Sequence, residues 1–234
     1  MQDSSPDTAA IMPMDAASLI ILDQSRATPR VLMGKRHMRH VFMPGAIVFP
    51  GGRLEDCDSD MPVAGALHPA AEHKLMLHVE EPSPLLARAL ALAAIRETFE
   101  ETGHLIGTTD YGAPEGVPAL WSAFAQHGVF PELDSLHFLA RAITPPAFPR
   151  RYDTRFFVVD AEHIVHTVDG ACGPDEEFVG LTWLPLEETL DQDIPYITRV
   201  ILAELSRCIT SGFRQEAPVP LFREEYGEDM RLEL

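Results

Sequence analysis

The amino-acid order predicts an α/β fold built around a mixed sheet. Three observations carry that prediction. Apolar, β-branched runs of strand length recur from Ser18 to Trp183. One long segment, "LLARALALAAIRETFEET", is bracketed by helix start and stop signals. Strands and helices are interspersed rather than segregated, which places the chain in the α/β or α+β class.

In chain order, residues 1–15 read as a flexible polar tail. Ser18–Gln24, "SLIILDQ", has strand length, and Arg26–Pro29 supplies a turn. Arg30–Arg36, "RVLMGKR", reads as its hairpin partner. Gly45–Gly52, "GAIVFPGG", is a short strand closed by a Pro-Gly-Gly breaker. Residues 59–83 are rich in Pro, His, Ala and acidic residues and read as a partly ordered insertion. The long helix starts with Ser83 as N-cap and Pro84 at its first position, and stops at Gly103. Leu85, Ala89, Leu92 and Phe99 give it one apolar face. The alternation in "ALALAA" suggests a strand, but the helix signals outweigh it. Val117–Gly128 reads as a second helix, and Leu136–Ile143 and Thr154–Ala161 as strands split by "TPPAFPRRYD". Gly180–Leu190 reads as a strand and a helix start, and Pro195–Ile209 as an amphipathic last helix. Residues 215–234 form an acidic C-terminal tail, and no internal repeat is present, so 1–234 reads as a single domain.

A chain of 234 residues with 46% hydrophobic content buries a core without metal or disulfide staples. Its three cysteines are scattered and form no CxxC pair, which predicts a reducing, cytoplasmic setting. The formal charge of −18 argues against nucleic acid as partner. The acidic N-terminus lacks a signal-peptide pattern, and no run of about 18 apolar residues predicts a membrane span. An acidic protein that handles phosphate esters needs something to cancel the repulsion. Divalent cations are the obvious agents, and carboxylate clusters are where they bind.

One such cluster stands out. Glu97, Glu100 and Glu101 fall at i, i+3 and i+4, on one helix face. Like charges there repel by a few tenths of a kcal/mol per exposed pair, roughly, and by more in a cleft. A Mg²⁺ or Mn²⁺ ion would turn that repulsion into ligation. A solvated acidic helix face would carry the same residues. Two features favour the site: Arg96, four residues before Glu100, and the Gly51–Gly52 turn, which permits close backbone approach.

These segments resemble the signature of the Nudix hydrolase superfamily. That signature runs Gly, five residues, Glu, seven residues, then Arg-Glu-apolar-any-Glu-Glu-any-Gly-apolar. Gly52 fits the first Gly, and Asp58 stands where the family has Glu. Arg96, Glu97, Glu100, Glu101 and Gly103 fit the second half, whereas Thr98 and His104 stand at places usually apolar. Uninterrupted spacing would put the Arg at 66; it lies at 96, so 30 residues split the box. "FMPGAIVFPGGRLEDCD", "AITPPAFPRRYDTRFF" and "LTWLP" are similar to the subgroup that includes the peroxisomal coenzyme A diphosphatase and its bacterial relatives. The resemblance covers most of residues 18–210. A longer coenzyme A motif of a neighbouring subgroup is met at Arg36, Gly45 and Phe49–Gly52 but not at position 41, which is Val; Arg39 or His40 would have to substitute.

The resemblance implies a Nudix α/β/α sandwich with an insertion within the box and a helical insertion after it. It implies metal-dependent hydrolysis of a nucleoside diphosphate derivative, with coenzyme A or acyl-CoA as leading substrate and NADH or ADP-ribose as alternatives. A non-catalytic Nudix ligand-binding module is the reading from another class, although such modules usually lack box carboxylates. By resemblance, Glu97, Glu100, Glu101 and the Gly51 carbonyl would hold Mg²⁺ or Mn²⁺, with Arg96 and Gly52 completing the site. The base would be a box glutamate or a loop carboxylate, for which Glu177, six residues before Trp183, is the candidate. Arg36 is the candidate phosphate clamp, although a strand-end charge would read the same way. Arg150 and Arg151 read as structural partners of acidic neighbours, the ten histidines have no metal-ligand spacing, and Trp121 and Trp183 read as core. Family members often dimerise, and a homodimer would use the last helix or the tail. The C-terminal "RLEL" is not a peroxisomal signal of the Ser-Lys-Leu type.

Overall fold

The computed structural model of the chain describes residues 11–39 and 43–234. Residues 1–10 of the expected tail, and His40 and Val41 of the longer coenzyme A motif, lie outside the described residues. The elements in order are β1 (Met14–Asp23), β2 (Arg30–Arg36), β3 (Ile47–Val48), β4 (Gly51–Arg53), α1 (Pro69–Leu75), α2 (Pro84–Thr102), β5 (His104–Ile106), α3 (Ser122–Gln126), β6 (His137–Ile143), β7 (Tyr152–Asp160), β8 (Ile164–Thr167), β9 (Phe178–Pro185), α4 (Tyr196–Ser211), β10 (Pro220–Glu225) and β11 (Glu228–Glu233).

Among the described residues nine strands join one sheet, in the order β11-β10-β6-β7-β1-β2-β3, with β4 also paired to β1 and β9 to β2. β1 runs parallel to β7 but antiparallel to β2 and β4, so the sheet is mixed, as expected. Alternation along β1 fills two cores. Ala17, Leu19 and Ile21 join the α2 side, and Ile20 and Leu22 join the α4 side, where Ile201, Leu202 and Leu205 cover them. The result is the expected α/β/α sandwich.

Helix α2 has the ends that its signals predict. The Ser83 side chain accepts a hydrogen bond from the Leu86 N–H at 3.1 Å, Pro84 opens the helix, and Gly103 closes it at φ +75°. Its surroundings differ from the expectation of one apolar face. Residues 87 and 89–96 are buried on every side, whereas Leu85 is 58% exposed. The 59–83 segment is the cause. Met61, Leu67, Ala71 and Leu75 pack into the same core as Ala87 and Ala91, so the insertion walls off the flank that would otherwise face water.

That segment is also more ordered than its composition suggests. Arg88 donates to the carbonyls of Ser59 and Met61, Arg141 to those of Leu77 and His78, and Lys74 to those of Gln215 and Ala217. Other departures are local. β1 starts at Met14, inside the expected tail. Val117–Gly128 holds a 3-10 turn (Ala119–Trp121) and the single-turn α3. Residues 186–191 form a 3-10 turn rather than a helix. Residues 220–233, which read as tail, form a hairpin that extends the sheet beyond β6. Its turn has Tyr226 at φ +53° and Gly227 at φ +80°, a turn chemistry that "YG" does not advertise. Among the described residues no helix is long and apolar enough to cross a membrane.

Candidate active site

The last turns of α2 lie against β4, which pairs with β1 through Ser18 and Gly51. Gly51 has φ +154°, and a Cβ there would lie 2.5 Å from the Ala17 carbonyl oxygen and 2.6 Å from Ser18 Cα. Only glycine fits, and β4 approaches β1 closely because of it. The Gly51 N–H donates to Glu101 Oε2 at 2.8 Å. A Cβ on Gly52 would lie 2.4 Å from the Glu97 carboxyl carbon. The glycine turn and the glutamate helix therefore meet directly.

Arg96 ties the two segments together. It is 2% exposed, and all five of its N–H donors are engaged. Nε and one terminal nitrogen grip Asp58 at 2.7 and 3.0 Å, across 38 residues of chain. The same nitrogen donates to the Arg53 carbonyl at 2.8 Å, and the other to Glu97 at 2.9 Å and Glu100 at 3.1 Å. Burial alone would lower the pKa of Arg96, but its hydrogen bonds and the charges of Asp58 and Glu97 hold it above its ordinary value. Asp58 is fully buried and also accepts from the Glu55 N–H at 3.0 Å. Asp58 is thus an anchor for Arg96.

The glutamates sit in unequal surroundings. Burial pushes the Glu97 carboxyl up to about 7, against the pull of Arg96, and the charges of Glu100 and Glu177 add to the rise. Burial likewise raises Glu101 well above the carboxylate range, and the charge of Glu177 assists. Glu101 is 4% exposed, and its Oε1 is a buried oxygen without a hydrogen-bond partner. Glu100 is the more open carboxylate, at 37% side-chain exposure.

Arg36 and Glu177 enter from β2 and the loop before β9. They form an ion pair at 2.6 Å. The register of β2 and β9 shifts between Lys35 and Arg36, so Arg36 faces Phe178. Phe178 packs over Gly34, where a Cβ would lie 2.2 Å from the ring. Beside Glu177 opens a cleft of about 270 Å³ lined by His37, Arg39, Asp175, Glu176 and Glu177.

The structure thus brings together Gly51, Gly52, Arg96, Glu97, Glu100 and Glu101, with Arg36 and Glu177 beside them. Among the described residues no three His, Cys, Asp or Glu side chains form a ready cation cage. Glu97 and Glu100 lean on Arg96, and Glu101 leans on the Gly51 N–H. Trp121 is fully buried and Trp183 packs against the core, as expected. Arg151 differs from its expected pairing with acidic neighbours: it donates to the carbonyls of Thr144 and Ile11. Sequence reasoning missed the Arg53 carbonyl, the Gly34–Phe178 contact and the Arg39–Asp175 pair. The first two have no side-chain signal, and the third joins residues 136 apart.

No family model matches the chain. "Putative nudix hydrolase 7" of Caenorhabditis elegans is 28% identical over 189 residues, which is 76% of this chain and 53% of that protein. The chain therefore spans about half the length of that curated relative. The crystal structure of a NUDIX hydrolase from Alicyclobacillus acidocaldarius superposes with a TM-score of 0.65 at 26% identity, covering 86% of this chain and 94% of the other. In its α/β/α sandwich and in sequence the chain is thus similar to Nudix hydrolases.

Proposed function

We propose that the chain hydrolyses the diphosphate linkage of a nucleoside diphosphate derivative with the aid of Mg²⁺ or Mn²⁺. One observation carries the reading: Glu101 buries an unpartnered carboxylate oxygen beside Glu97 and Glu100. A fold gains no stability from that arrangement. A hard divalent cation fits it, since the donor set is all oxygen. Glu97, Glu100, Glu101 and the Gly51 carbonyl would hold the ion, which supplies charge to neutralise phosphate oxygens and to acidify a water. The 30-residue insertion is read as a split in one Nudix box, and the contact of Asp58 with Arg96 supports that reading.

The chain's own residues then have separable tasks. Arg96 fixes the rotamers of Glu97 and Glu100. Water forms a bond to one phosphorus, the bridging P–O bond breaks, and its electron pair leaves on the other phosphate. The water's proton passes to a carboxylate. Glu177, 39% exposed and with its charge acting on Glu97 and Glu101, is our candidate for that role.

Coenzyme A or acyl-CoA is the leading substrate, on the segments quoted above. NADH and ADP-ribose are the alternatives, and the non-catalytic module is the outcome if no member of the panel is cleaved and no cation binds. The test is incubation with Mg²⁺ or Mn²⁺ and coenzyme A, acetyl-CoA, NADH, ADP-ribose or diadenosine polyphosphates, with products read by mass. The expected product is 3′,5′-ADP with a phosphopantetheine, absent in Glu100→Gln. Cleavage of another compound moves the substrate and keeps the chemistry. Silence in a folded chain that binds no Mn²⁺ overturns the reading.

A further inference from the structure

Two basic side chains at the end of β2 are matched to two carboxylates of the loop before β9. Arg36 pairs with Glu177 at 2.6 Å, and Arg39 with Asp175 at 3.1 Å. The His37 N–H donates to the Glu177 carbonyl at 2.9 Å, so the two segments are joined by backbone as well. The Arg36 side chain is 15% exposed, and its charge and that of Glu177 are both felt by Glu101. In a chain of net charge −18, this is a place where cations and anions of the protein meet at a cleft beside the glutamate cluster. A carboxylate and a phosphate oxygen compete for the same guanidinium edge.

We infer that Arg36 is a transferable counterion: it holds Glu177 in the resting protein and passes to a phosphate oxygen of the diphosphate substrate, releasing Glu177 to face the reacting water. This rests on the hydrolase reading above and deepens it. Glu177 acts as an internal occupant of the site where the substrate's anion docks. The exchange keeps a buried-side guanidinium paired at every stage, so neither state strands its charge. It also ties release of the base to arrival of the substrate. The His37 N–H bond to the Glu177 carbonyl keeps the loop docked during the exchange, since the Arg39–Asp175 pair, 70% and 88% exposed, adds little.

The exchange predicts an unusual sign. Removing an internal competitor tightens anion binding, and only through Arg36. The probe is inorganic pyrophosphate, titrated by calorimetry against the full chain with Mn²⁺ and without it. Glu177→Gln is expected to bind pyrophosphate about fivefold tighter, the fold-change of a half-exposed ion pair. Glu176→Gln removes the same charge from an exposed neighbour in the same cleft and is expected to stay within about twofold of the parent. The Arg36→Gln/Glu177→Gln double variant is expected to lose the gain. With a cleaved panel compound, Arg36→Gln raises KM, whereas Glu177→Gln lowers kcat and does not raise KM. The inference is overturned if Glu177→Gln binds no tighter, if Glu176→Gln tightens equally, if the gain survives without Arg36, or if the parent binds no pyrophosphate. Hydrolysis with no gain in Glu177→Gln refutes the exchange alone. A gain without hydrolysis of any panel compound, in a folded chain that binds no Mn²⁺, refutes the hydrolase reading alone.

Discussion

Truncating Asp58 tests whether the fold depends on the tie between the two halves of the site. Asp58 is fully buried, and its carboxylate receives two Arg96 donors and the Glu55 N–H. Asp58→Ala leaves those donors in a space that water does not reach. Removing one partner of a buried ion pair costs about 3–5 kcal/mol, because the other charge stays behind. Glu97 and Glu100 still neutralise Arg96, which favours the lower part of that range. For a chain of this size each kcal/mol lowers Tm by about 2–4 °C, so a fall of roughly 6–15 °C is expected. Thermal and urea denaturation of the metal-free chain would read it. Adding Arg96→Met should cost much less than the sum of the two single changes, since the stranded charge goes with it. An Asp58→Ala chain within about 1 °C of the parent, or a double variant that is simply additive, would refute the reasoning.

If Glu97 ligates the cation as proposed, protons would compete for it, since burial raises its carboxyl from 4.5 to about 7. Apparent Mn²⁺ affinity is therefore expected to rise as pH rises through about 7, by about tenfold from pH 6 to 8, and calorimetry at those two values checks it. Without metal the sign reverses. The folded chain holds a proton that the unfolded chain has shed, so stability falls as pH climbs from 4.5 through about 7. Gly34→Ala places a methyl 2.2 Å from the Phe178 ring, so it should cost about 1–3 kcal/mol and lower kcat by displacing the adjacent Glu177. An unchanged Tm and kcat would contradict that packing. Limited trypsinolysis should cut after Arg39, with its side chain 70% exposed, about tenfold faster than after Lys74, which is 7% exposed and hydrogen-bonded to Gln215 and Ala217. Earlier cleavage at Lys74 would show the 59–83 segment to be loosely held.

The sequence by itself determined what is encoded within a few residues. Ser83, Pro84 and Gly103 set both ends of α2, because caps act on the orphan N–H and C=O groups of a single turn. The i, i+3, i+4 spacing put Glu97, Glu100 and Glu101 on one face, because helical pitch is fixed. The apolar run in Ser18–Gln24 marked a strand, because its length and composition are local. The tertiary structure alone decided which distant groups share one space. Asp58 reaches Arg96 only because the 59–83 segment folds back over α2, and that same fold-back buries a helix face that spacing alone assigns to solvent. Half of the residues of the hairpin at 220–233 are charged, and its place at the sheet edge is set by pairing with β6. Glu177 comes to the glutamate cluster through a shifted register and the room that Gly34 leaves for Phe178. Caps and pitch are short-range properties of the backbone. Ion pairs across 38 or more residues depend on how the chain closes, and closure is decided by the packing of the whole core.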